Sequence, residues 1–137
     1  MIKFFNSLLF VIAILSIFSC GLDEEKKPAT MPSEWSGRED EFQNKFTTRE
    51  DGNETLVLYR ETDLPFEGEV ERNGTKSNTV QSFKNGKLNG LSIKKSKDGS
   101  WVEANYKDGK LHGEMIFYGR NGKKRSVLTY ENGQLKK

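Results

Sequence analysis

The phrase Tyr106-Lys107-Asp108-Gly109-Lys110-Leu111-His112-Gly113 constrains this chain more than any other feature, because it recurs. Phe83-Lys84-Asn85-Gly86-Lys87-Leu88-Asn89-Gly90 precedes it with the same order of residue types, and Tyr130-Glu131-Asn132-Gly133-Gln134-Leu135 follows near the end. The turn glycines Gly86, Gly109 and Gly133 are 23 and 24 residues apart. A fixed period of this size marks a repeat architecture. Each unit is too small to bury an apolar face alone and gains one by stacking on its neighbours.

The punctuation of the units is that of hairpins. Asn-Gly or Asp-Gly pairs stand at Asp51-Gly52, Asn73-Gly74, Asn85-Gly86, Asp98-Gly99, Asp108-Gly109, Asn121-Gly122 and Asn132-Gly133. Such pairs tolerate positive φ and predict tight type I′ turns. Short β-branched and aromatic runs between them predict strands at Thr55–Arg60, Gly68–Arg72, Thr79–Lys84, Leu91–Ser96, Trp101–Lys107, Glu114–Tyr118 and Ser126–Glu131. Val70 and Ile93 should face inward, each between polar neighbours. Trp101, Glu103 and Asn105 should share one face, and Val102, Ala104 and Tyr106 the other. Met115-Ile116-Phe117-Tyr118 is apolar throughout and predicts a central or doubly covered strand. The chain's 13 glycines interrupt almost every window long enough for a helix. The fold class is therefore all-β, an antiparallel meander of stacked hairpins. Phe83, Tyr106 and Tyr130 should form one packing ladder and Leu88, Leu111 and Leu135 a second, so that Tyr106→Ala would cost about 3 kcal/mol or more.

The first residues are of another kind. Lys3 is followed by an uncharged run from Phe4 to Phe18, whose densest part, Leu8 to Leu15, is entirely apolar. That is the length of a signal-peptide core, and it falls short of a spanning helix. The run closes on Ile17-Phe18-Ser19-Cys20-Gly21. This resembles a bacterial lipoprotein signal, with an aliphatic residue three before the cysteine and small residues on either side; Phe18 is bulkier than that pattern prefers. The resemblance implies a helical signal peptide over residues 1–19, cleavage before Cys20, and lipidation of the Cys20 thiol. Acyl chains contribute about 0.8 kcal/mol per buried CH2 and would anchor the chain to a membrane. Gly21, rather than an aspartate, after the cysteine implies the outer membrane of a cell envelope, with a periplasmic or surface-exposed domain. Residues 20–45, with Asp23-Glu24-Glu25-Lys26-Lys27-Pro28 and Pro32-Ser33, predict a lipidated N-terminus and a disordered, flexible tether. Phe42 and Phe46 sit four apart, which suits either a short helical turn or the lead-in to a strand. Residues 46–137 form the repeat domain.

The pattern aromatic-Lys-Asp/Asn-Gly-Lys-Leu-x-Gly resembles the short MORN-type repeat of YwqK-like antitoxin-repeat proteins, which are bacterial chains and often lipoproteins. The likeness runs from about Tyr59 to Leu135 and is fullest over Asn105–Asn121; Leu91-Ser92-Ile93-Lys94-Lys95 lacks the usual aromatic pair. The resemblance implies a curled antiparallel sheet of stacked hairpins and does not imply a known catalytic activity.

The residues themselves point away from chemistry. With 22 basic and 20 acidic side chains the chain carries a formal charge of +2, which gives no electrostatic case for nucleic acid. One cysteine allows no internal disulfide. His112, the only histidine, occupies the position of Asn89 and Glu67 in other units and reads as a solvated loop residue. A lone histidine furnishes no zinc site of the His/Cys kind, and no cofactor is implied. Glu69 and Glu71 share a strand face but read as solvated carboxylates. Lysines crowd the second half of the chain and acids the first, so one end could touch anionic headgroups or an acidic partner. The expected function is that of a non-enzymatic lipoprotein displaying a binding or scaffold module at the cell envelope, toward a protein or envelope-surface partner. The alternative is an immunity protein or antitoxin that neutralises a toxin by contact.

Overall fold

The computed structural model describes residues 30–52 and 54–137; the signal segment and the lipidation expected at Cys20 lie outside them. The described chain enters through β1 (Glu34–Arg38) and α1 (Glu39–Lys45). It then passes through β2 (Phe46–Asp51), β3 (Glu54–Tyr59) and β4 (Leu64–Pro65). The repeats follow as β5 (Gly68–Asn73), β6 (Ser77–Lys84), β7 (Lys87–Ser96), β8 (Trp101–Lys107), β9 (Lys110–Tyr118), β10 (Lys124–Glu131) and β11 (Gln134–Leu135). From β5 onward every strand pairs antiparallel with the next, the meander that the turn spacing predicts. The eight-stranded sheet is completed by β1, which lies parallel to β5, while β2, β3 and β4 form a separate three-stranded sheet. A parallel pair needs a long crossover, and α1 with the small sheet is that crossover.

Residues 34–45 therefore do not belong to a tether. Trp35 pairs with Val70 across β1–β5 and meets Phe42 and Phe46 edge-on, with ring centroids 5.6 Å away in each case. Their apolar residues show no period in sequence because they converge from a strand, a helix and a second strand. The helix starts where Glu41 accepts the Arg38 backbone N–H at 2.9 Å. Glu39, Asp40 and Glu41 also suit the positive end of the helix.

The core lies at this end of the molecule. Phe46, Phe66, Leu58 and Val70 are fully buried, each contributing about 1.5–3 kcal/mol. Phe46 stacks on Phe42 and abuts Phe66, which in turn meets Phe83. Beyond Phe83 the sheet is a single layer, and Leu91, Val127 and Leu135 are exposed.

The repeated phrase predicts two ladders, one of rings and one of leucines; the register instead makes one aromatic–leucine pair in each unit. Phe83 pairs with Leu88, Tyr106 with Leu111, and Tyr130 with Leu135. The aromatics occupy alternate strands, β6, β8 and β10. Two strand spacings amount to about 9.5 Å, beyond the reach of ring contacts. On its other flank each aromatic pairs with a glycine: Gly68 with Phe83, Gly90 with Tyr106, Gly113 with Tyr130.

Three corners are type I′, with positive φ at both Asn85 and Gly86, Asp108 and Gly109, and Asn132 and Gly133. They stack: the Gly86, Gly109 and Gly133 amides donate to the Phe66, Leu88 and Leu111 carbonyls, each at 2.8 Å. The opposite corners differ from expectation. Gly99 and Gly122 alone take positive φ in theirs, and Asn73-Gly74 takes none, because Asn73 is still paired in β5. Ile93 also differs. The buried residue of its trio is Ser92, and Ile93 points to the opposite face.

Candidate functional site

Register assigns the two faces of the large sheet. Val70, Gln81, Ser92, Ala104 and Met115 form a continuous row of paired positions across β5 to β9, so they share the face that carries the core. Near β5 that face is covered by α1 and the small sheet. Farther along it is uncovered and dips, because Ser92 and Ala104 are short side chains, 9% and 5% exposed.

Two hollows lie on this face, and Arg72 and Gln81 line both. The first, about 420 Å³, is floored by Phe42, Val57, Phe83 and Leu88, with Glu54 and Lys110 among its polar residues. The second, about 290 Å³, lies over Ser92 and Ala104 and is bounded by Arg72, Lys94, Tyr106 and Met115. Arg72 connects core and hollows. Its guanidinium lies over the Phe42 ring, 5.0 Å from the centroid. One arm donates to Glu39 at 3.3 Å and the other to Gln81. Its Nε is buried with no hydrogen-bond partner among the described residues. Burial raises the Tyr106 hydroxyl above its ordinary pKa.

At one rim, Glu54 is held by Lys87 and by Lys110 at 3.6 Å. The Lys87 hydrogen bond leads in pushing the Glu54 pKa below the ordinary glutamate range, and it raises that of Lys87.

The other face has its own aromatic pair. Trp101 and Tyr118 stack at 4.5 Å between centroids, nearly parallel. The Trp101 indole N–H donates to one Glu103 oxygen at 3.0 Å and the Tyr118 hydroxyl to the other at 3.2 Å. Burial, then the Glu103 charge, raises the Tyr118 pKa. Here a single-layer sheet covers itself, and Ile116 is 9% exposed beside this pair.

His112 lies within β9 rather than in a loop. Its Nδ1 faces the Asn132 backbone N–H at 3.5 Å, and Asn89 Oδ1 accepts from the Asp108 N–H at 3.3 Å. The two side chains hold equivalent places in successive units, each beneath the next corner, which accounts for His112 as a turn support. Glu69 is solvated, and Glu71 accepts from Ser36 at 3.2 Å on the face opposite the hollows. Among the described residues no group of three His, Cys, Asp or Glu side chains is placed to hold a metal, and no helix is long and apolar enough to cross a membrane.

The hollow over Ser92 and Ala104 was not legible as a site. Its nearest signal in sequence is the smallness of these two residues in unit positions where a packed sheet face would carry large ones. No protein-family model, curated protein or solved structure matches the chain.

Proposed function

We propose that the chain is a membrane-anchored, non-catalytic lipoprotein of the bacterial cell envelope, and that its β-repeat domain is a binding module. The observation that carries the binding role is the asymmetry of the sheet. One end is consumed in a core, while the other leaves a broad single-layer face with a dip bounded by Arg72 and Lys94. A face kept open beyond the needs of stability suits contact with a partner. The anchor is carried by Ile17-Phe18-Ser19-Cys20-Gly21, and the sequence MORN-like phrase supports a scaffold rather than an enzyme.

Each half has its own test. Fatty-acid labelling of cells should mark the wild-type chain and leave Cys20→Ala unmarked; an unlabelled wild type would remove the lipid anchor. For binding, a photoreactive residue replacing Lys94 should give one discrete cross-linked species in envelope preparations, and the same residue replacing Lys137 should not. Identical, diffuse products from both positions would contradict a binding role for this face.

A further inference from the structure

We infer that the dip over Ser92 and Ala104 is a binding site for a small organic acid, its carboxylate held by Arg72, Lys94, Ser92 and Tyr106 and its apolar part lying along Val102, Ala104 and Met115. The inference rests on reading the core-side face as the binding surface, and names what one part of it would take.

Size is the first observation. The hollow, about 290 Å³, stands at the small end of ligand sites. It exists because two buried positions carry Ser and Ala on a face otherwise set with long side chains.

The second observation is the state of the donors. Arg72 Nε is buried without a partner among the described residues. The Lys94 ammonium and the Ser92, Thr79 and Tyr106 hydroxyls have no hydrogen-bond or ion-pair partner among the described residues. A buried donor left unpaired is costly and is satisfied by whatever acceptor can reach it. Arg72 Nε is the one buried donor of the set; the Lys94 ammonium and the hydroxyls are solvent-facing donors around the same small hollow, and together they suit a ligand with more than one acceptor oxygen.

Charge is the third. Arg72 and Lys94 line the hollow and no carboxylate does. Glu39, which pairs with Arg72 at 3.3 Å, stands outside it. The site therefore favours an anion: with its two arms engaged by Glu39 and Gln81, Arg72 contributes its charge, and Lys94 with the hydroxyls contributes the free donors. The apolar floor decides between anions of like charge. Inorganic phosphate has nothing to place against Val102, Ala104 and Met115, whereas a carboxylate with a short hydrocarbon chain does.

Titration of the full chain with hexanoate, acetate and inorganic phosphate, followed by amide NMR, tests this. Hexanoate should give saturable shifts at Ser92, Lys94 and Ala104 with a Kd on the order of a millimolar or tighter. Acetate and phosphate should bind at least about tenfold more weakly. Lys94→Gln should weaken hexanoate by about tenfold, and Ser92→Leu, which fills the dip, should abolish binding. Lys94 is exposed, so its variant decides the matter even if Ser92→Leu fails to fold. Absence of saturable shifts with hexanoate, equal affinity for phosphate, or undiminished binding by Lys94→Gln would overturn the assignment. Cross-linking from position 94 to a macromolecular partner would persist in that event, so this failure is distinct from failure of the binding face itself.

Discussion

Gly90 stands directly opposite Tyr106 across the β7–β8 pair, and Leu111 stands opposite the same tyrosine across β8–β9. Gly90 takes a φ of +105°, so a Cβ there would turn toward Ser82 rather than toward the ring, and the glycine answers a backbone need while the leucine stands opposite the ring on the other side. Gly68-Phe83-Leu88 and Gly113-Tyr130-Leu135 repeat the relationship. The repeated phrase is thus a prescription for one cross-strand triplet per unit, and the corner between the aromatic and the leucine brings them together.

The triplets are equal in register and unequal in burial, which sets an order of stability effects. Phe83 is 8% exposed within the core, so Phe83→Ala should cost about 3–4 kcal/mol. Tyr106 is half-buried on a single-layer sheet, and Tyr106→Ala should cost about 1–2 kcal/mol, less than a continuous ring ladder would require. Tyr130→Ala, at the last full strand, should cost under about 1 kcal/mol. Urea unfolding of the three variants measures the order; equal losses would mean that the repeats share one uniform core.

Gly68 should tolerate no side chain. Its φ is +141°, and an added Cβ would meet the Ser33 carbonyl oxygen at 2.0 Å, the same oxygen that accepts the Glu69 N–H at 2.9 Å. Gly68→Ala should cost more than about 2 kcal/mol. Gly52→Ala, also at positive φ but facing open space, should cost about 1 kcal/mol. Thermal melts of both variants compare them, and similar losses would show that backbone strain alone matters at Gly68.

Residues 34–45 should be indispensable. Phe42→Ala removes a ring that stacks on Phe46 and lies beneath the Arg72 guanidinium, and should cost about 3 kcal/mol. A chain beginning at Phe46 should lack cooperative unfolding, because Val70 and Phe46 would lose Trp35 and Phe42 together. A cooperative melt from that truncation, at the temperature of the full chain, would return these residues to a tether.

Glu54 should mark the acid limb of stability. Its pKa is depressed in the fold, chiefly by Lys87, so its contribution is complete above the unfolded value, about 4.3, and is lost as pH falls through the lower folded value. The melting temperature of the wild type should therefore fall more steeply than that of Glu54→Gln as the pH drops below about 4.3. Circular dichroism melts across that range check it; parallel curves would show that the Lys87 pair contributes nothing.

What could be read in the residues and what could not divide along physical lines. Hairpin strands are local: the alternation in Glu69-Val70-Glu71 and the Asn85-Gly86 corner each contain their own instruction, so β3 and β5 to β10 were placed, short by a few residues where strands run on into a corner. The Asn85-Gly86, Asp108-Gly109 and Asn132-Gly133 corners were legible because each pair supplies two positive φ values; the same dipeptides at Asp98-Gly99 and Asn121-Gly122 supply one. The core was not, because Trp35, Phe42 and Phe46 meet only after a parallel crossover that leaves no period in the sequence. Gly68 announced itself as a repeat position, yet its role against Ser33 depends on β1. The dip at Ser92 and Ala104 depends on which face each strand turns to the core. At Ile93 hydrophobicity points inward, whereas the register sets Ser92 there instead.

Native-state hydrogen exchange of the full chain tests most directly the claim that a core at one end supports an open repeat sheet at the other. Amides of β5 and β6, beside Val70 and Phe83, should exchange slowest, with protection falling strand by strand and reaching at least about a hundredfold less in β10. Uniform protection from β5 to β10, or slowest exchange around Val127, would contradict it.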